Sequence, residues 1–181
     1  MTRRSHPVTL IGLALCALLL LSGCDLLAGL FGGGQDEDPI DIPASVADDP
    51  TYDTLENDVF TAINTDRTGH SSSAFAGREA SLDALARRYA SVGACDTFPG
   101  NLVDRVATAM GTCSDATFFL FSSGTAPSAD TMMTSWLNNT AGQTAMRSTA
   151  FTKIGIGIVN GSGPNGMPGT FVNTVVLLAK P

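Results

Sequence analysis

The chain has 181 residues, of which 44% are hydrophobic, and a formal net charge of −7 from 17 acidic and 10 basic residues. That length suits one domain with a real core and flanking segments. Without a basic patch it lacks the electrostatic footprint of a nucleic-acid-binding protein, so nucleic acid is excluded as a partner.

At the N-terminus, Arg3 and Arg4 precede an uncharged apolar run over residues 8–21. The run is too short for an ordinary spanning helix and has the layout of a signal peptide, assigned to residues 1–23. It closes on Leu21-Ser22-Gly23-Cys24, which resembles the bacterial lipobox, in which the Cys receives a diacylglyceryl group and becomes the mature N-terminus. Such an anchor holds a chain to a membrane without spanning it. The expected location is the bacterial cell envelope, facing the periplasm or the exterior. Residues 24–50 mix Gly, Pro and acids with no lasting apolar period and read as a solvated tether. Ten of the seventeen acidic residues fall in residues 25–58, whereas residues 59–181 hold seven acids and eight bases. The net charge therefore belongs to the tether, and residues 51–181 form the folded domain.

Within that domain, Leu55, Val59, Phe60 and Ile63 draw an apolar stripe on a first helix that ends near Gly69. Ser81 is placed to cap a second, with Leu82, Leu85, Ala86 and Tyr89 on one side and Gly93 at its end. Leu102, Val103, Val106 and Met110 give a third, stopped by Gly111. The run "ATFFLFSSG" then changes to a β-prone period. Pro127, Ser128 and Asp130 open a further helix through Met132, Met133 and Trp136, and "WLNNTAGQ" reads as its end and a following loop. Ile154, Ile156 and Ile158 alternate with small residues as a strand, and "TFVNTVVLLAK" is its partner across the Gly- and Pro-rich "NGSGPNGMPG". Helices early and strands late predict an α+β fold with an antiparallel sheet.

Several of these residues resemble the CAP superfamily, which includes cysteine-rich secretory proteins, antigen 5, plant pathogenesis-related proteins and bacterial SCP-like relatives. Ile63-Asn64-Thr-Asp-Arg67 is similar to its "hydrophobic-N-x-x-R", and "LDALARRYA" to its "L-x-x-x-A-x-x-H-A". "SWLNNTAGQTAMRSTAFTKIGIGIV" parallels "W-M-x-S-x-G-H-R-x-x-I-L-x-x-x-F-x-x-I-G-V-G" through Trp136, Asn138, Gly142, Phe151, Ile154, Gly155 and Gly157. The resemblance implies an α-β-α sandwich with a central antiparallel sheet. It also implies a cleft where many members display two His and two acids able to hold a divalent cation. Carried over position by position, those four fall on Tyr89, Phe119 (within about one residue), Asn139 and Gln143.

None of these four titrates usefully near neutral pH, and a phenol, a phenyl ring and two amides are poor ligands for zinc. The expectation is a binding or interaction module with no catalytic residue, metal or cofactor, and a protein, glycan or apolar ligand as its unidentified partner. The alternatives are an envelope hydrolase of glycan or peptide using Asp115, Asp130 or His70, or a carrier of a sterol or other apolar ligand. His70 sits beside three serines in a polar loop without a visible orienting carboxylate. Cys95 and Cys113, in an exported domain and flanking the third helix, are expected to form a disulfide contributing about 3 kcal/mol.

Overall fold

The computed structural model describes residues 42–93, 102–164 and 167–181. By contacts the chain falls into two units, Met1–Gln35 and Asp36–Pro181; the first, with Cys24, lies wholly outside the described residues. Among the described residues no helix is long and apolar enough to cross a membrane.

A 3₁₀ turn, Pro50–Tyr52, leads into α1 (Asp53–Gly69). Asp49 caps that turn by accepting from Thr51 N at 3.0 Å, and Asp53 and Glu56 place negative charge in the first turn of α1, where the helix dipole favours it. The buried stripe of α1 is Glu56, Val59, Ile63 and Arg67, spaced by three, four and four residues. Two charges thus sit in the apolar face. α2 (Ala80–Ser91) buries Leu82, Leu85, Ala86, Tyr89 and Ala90. Its N-cap is Glu79, not Ser81, which lies in the first turn; Glu79 is fixed through its backbone N–H to Ile154 O, 2.8 Å away. α3 (Leu102–Met110) ends at Gly111, whose φ of 89° is the left-handed stop the sequence signals.

β1 (Asp115–Ser123) is followed by α4 (Ala129–Trp136), capped by Ser128 accepting from Thr131 N at 3.2 Å. Where the sequence reads as a loop, a further helix forms, α5 (Thr140–Arg147), capped by Asn139. Gly142 allows it: a Cβ there would strike Trp136 O at the end of α4. β2 (Lys153–Gly161) and β3 (Phe171–Lys180) then close an antiparallel sheet of order β1-β3-β2. The expected hairpin pairs Lys153 with Ala179 and Gly161 with Phe171; residues 165 and 166 of its loop lie outside the described residues.

Strand alternation divides the core. Phe119, Ile154, Ile156, Ile158, Val172, Val176 and Leu178 face α1, α4 and α5, together with Met132, Trp136 and Met146. Val159, Val175, Leu177 and Ala179 face α2 and α3 with Tyr89 and Val106. The result is the α-β-α sandwich. On the α2 side, β2 presents Gly155, Gly157 and Gly161, where a Cβ would collide with Leu82, with the Ala86–Arg87 backbone and with Ser91. Helix and strand pack backbone to backbone because these three positions carry no side chain.

Residues assigned to the tether also belong to the fold. Ile42 is buried beside α2, Val46 packs on the same cluster, Arg88 Nε donates to Pro43 O, and Arg87 pairs with Asp48 at 3.1 Å. Ile42 and Val46 lie in a short stretch broken by Pro43 and flanked by acids, so no sustained apolar period announces them.

Candidate functional site

The four positions carried over from the family's cleft do not converge. Tyr89 is fully buried on α2 among Leu82, Leu85, Ala86 and Val106, where desolvation raises its phenol pKa. Phe119 faces the other side of the sheet, its ring 5.9 Å from that of Trp136 and tilted by 54°. Successive strand residues point to opposite faces, so the β1 positions on the Tyr89 side are Phe118 and Leu120. The one-residue slack in that aromatic run is therefore decisive. Asn139 Oδ1 accepts from Gly142 N at 2.7 Å as a helix cap, and Gln143 Nε2 donates to Leu137 O at 3.0 Å. The expected single cleft is corrected to two core positions on opposite faces and two local braces.

The residues matching "N-x-x-R" acquire a clear task. Asn64 holds the loop backbone at Phe75 through both its polar atoms, Nδ2 donating to Phe75 O at 3.2 Å and Oδ1 accepting from Phe75 N at 2.8 Å. Arg67, only 2% exposed, donates to the carbonyls of Ser73, Met146, Ser148 and Phe151 and lies 4.0 Å over the Phe75 ring. Burial lowers its pKa. It pins the end of α1 to the end of α5 and to the start of β2.

Two charged clusters border this scaffold. In the first, Arg147 holds Asp66 in a bidentate pair at 2.9 and 2.8 Å and donates to Gln143 Oε1 at 3.3 Å. Its hydrogen bonds are the main cause that lowers the Asp66 pKa. His70 Nδ1 lies 2.8 Å from Asp66 O and 3.3 Å from Asp66 Oδ1, with its side chain about half exposed. The carboxylate judged missing from the sequence is thus Asp66, one helical turn before His70; the spacing of four was the available signal. Among the proposed positions, Gln143 N donates to Asn139 O at 3.1 Å, and Gln143 and His70 are linked indirectly through Arg147 and Asp66.

The second cluster was not anticipated. Arg78 bridges Glu56 and Asp83, its Nη2 in contact with Glu56 Oε2 and 3.0 Å from Asp83 Oδ2. Glu56 Oε1 accepts from Ile158 N at 3.1 Å, and Asp83 Oδ1 from Ile156 N at 2.7 Å. In the described sheet β2 is an edge strand, and these carboxylates occupy two of its outward N–H groups, which disfavours pairing with another chain there. Desolvation raises the Glu56 pKa against the pull of Arg78. The signal was a Glu in register with the apolar stripe of α1.

Asp115 and Asp130 do not form one acidic pair: Asp115 begins β1, about 26 Å of strand from Ser123, and Asp130 opens the helix beyond. Among the described residues Cys113 forms no disulfide and its Sγ lies 3.2 Å from Asp115 O; Cys95, its expected partner, lies outside them. Among the described residues no group of three or more His, Cys, Asp or Glu is placed to hold a metal ion.

No protein-family model matches the chain, and no curated protein sequence does. Several solved structures share its fold, among them three extracellular or surface proteins. An outer surface protein of Borrelia burgdorferi aligns with TM-score 0.54 and 14% identity over 75% of this chain and 96% of that one. A cysteine-rich secretory protein of Staphylococcus aureus aligns at 0.50 and 10% over 71% of this chain and 39% of that one. An extracellular protein of Bacillus anthracis containing an SCP domain aligns at 0.50 and 16% over 76% and 45%. The chain spans less than half the length of the last two. At these identities the likeness concerns the backbone, and what it establishes is that the chain carries the fold of the CAP, or SCP, domain.

Proposed function

We propose that the protein is a lipid-anchored, extracytoplasmic CAP-like module that binds a partner and does not catalyse. One observation supports this: the positions onto which the CAP resemblance carries the family's titrating groups hold none here, Tyr89 and Phe119 lying in the core and Asn139 and Gln143 bracing the α4–α5 junction. The neighbours named as outer surface and extracellular proteins agree with an envelope location. The lipobox at Cys24 supplies the anchor.

The reading is tested in two steps. Labelling cells with an alkyne fatty acid should mark the chain, and Cys24→Ala should abolish the mark and release the protein from membranes; unlabelled, membrane-bound wild type would refute the anchor. Zinc should leave the melting temperature unchanged, since a ligand at a hundred times its Kd would stabilise by about 2.7 kcal/mol. The exported domain is also expected to oxidise Cys95 and Cys113 to a disulfide, read as the loss of two thiols by mass after alkylation.

A hydrolase is favoured only by the Asp66–His70 pair. Turnover of peptidoglycan or casein that His70→Ala removes would replace the binding reading with this one.

A further inference from the structure

Of the six arginines between residues 59 and 181, four have dedicated partners. Arg67 is held by carbonyls and Phe75, Arg78 by Glu56 and Asp83, Arg87 by Asp48, and Arg147 by Asp66. Arg88 and Arg105 are different. Arg88 uses Nε on Pro43 O at 2.6 Å, which leaves its terminal nitrogens unengaged among the described residues, and Arg105 has no hydrogen-bond or ion-pair partner there. Both are partly buried, and both line one open pocket of about 330 Å³ between α2, α3 and residues 44–46.

The rest of the lining fits the same chemistry. Ser45, Ser81 and Thr108 bring hydroxyls, Val46 and Leu85 bring apolar surface, and no carboxylate is among the lining residues. An arginine carries five N–H donors in a planar fork that matches a carboxylate or phosphate. Among the described residues two such forks lie at one cavity without a counter-ion, a local concentration of positive charge that favours an anion. Ser81, which does not cap α2, is free to face this pocket.

We propose that this pocket binds a small ligand with an oxyanion head, a carboxylate or a phosphate, on a compact apolar body. Arg88 and Arg105 grip the head, and Val46 and Leu85 contact the body. The tether's last residues build one wall, so the site is completed only when residues 42–46 dock. The inference deepens the reading of a binding module and rests on it. Because its test reads binding alone, its failure leaves the anchor and the lack of catalysis standing.

The test uses the full chain from residue 24 with Cys24→Ser, titrated calorimetrically at low salt. The probes are N-acetyl-alanyl-alanine as the carboxylate, glycerol phosphate as the phosphate, and the amide of the dipeptide as an uncharged control. Saturable binding of at least one anion is expected, with the amide silent; the responding arm names the head group. Arg105→Gln, which removes no hydrogen bond or ion pair among the described residues, should weaken it by about tenfold or more, the loss of a charge-assisted fork. Arg88→Lys should weaken it less than Arg88→Gln. Absence of binding by either anion up to about 10 mM, a range where affinity is a few kcal/mol, overturns the proposal. So does equal binding of the amide, or an Arg105→Gln protein that binds as wild type.

Discussion

Arg67 shows how one buried charge, with no counter-ion among the described residues, can organise a fold. Its guanidinium gathers four carbonyls from three segments, and each would be left short of a donor by Arg67→Met. The expected loss is roughly 3 kcal/mol in urea denaturation; a loss below about 1 kcal/mol would mean that water replaces the guanidinium. Asp66 makes a pH-dependent contribution. Arg147 depresses its pKa below 3.8, so its stabilisation is fully present above that value and is lost as pH falls through the folded value. Asp66→Asn should flatten the acid limb of melting temperature against pH, and an unaltered limb would refute the assignment. Glu56 acts with the opposite sign: burial raises its pKa above 4.5, so that contribution is present below 4.5 and fades as pH rises through the folded value. Asn64 and Arg67 stood out in the sequence, but their acceptors, up to 84 residues away, did not.

At the scale of elements, α2 lies on β2 because of glycine. A Cβ at Gly157 would meet the backbone at Ala86 and Arg87, which no rotamer change can relieve. Gly157→Ala should cost about 1–3 kcal/mol by chemical denaturation, whereas exposed Gly124, with open space around its Cβ position, should accept alanine nearly unchanged. β2 also depends on side chains to cover its outer edge. Asp83→Ala bares Ile156 N, and the variant is expected to self-associate in light scattering at concentrations where wild type is monodisperse. Unchanged scattering would show that Arg78 and Glu56 guard the edge alone. Most elements were legible from periodicity, the α1, α3 and α4 helices and the β2–β3 hairpin above all. α5 was not, because eight residues containing two Thr and one Gly have poor helix propensity, and the helix exists by its Asn139 cap and its packing on α4.

For the whole molecule, the boundary of the domain lies inside what composition assigns to the tether. Deleting residues 24–41 should leave the melting temperature unchanged, while extending the deletion through residue 49 removes Ile42 and Val46 from the α2 side and should cost about 2 kcal/mol or more. Equal stability of the two truncations would return residues 42–49 to the tether. The sequence by itself determined the α+β class, the order of the helices and the hairpin, since these follow from local period, caps and turn residues acting over a few positions. It also supplied the CAP resemblance, which the backbone bears out. Only the tertiary structure decided which face each β1 residue takes, and with it that Tyr89 and Phe119 stand on opposite sides of the sheet. A strand's pattern repeats every two residues, so a slip of one is invisible in an aromatic run until helices pack on both sides and choose. The same packing brings Arg88 and Arg105 to one pocket from two helices, a convergence that no spacing along the chain encodes.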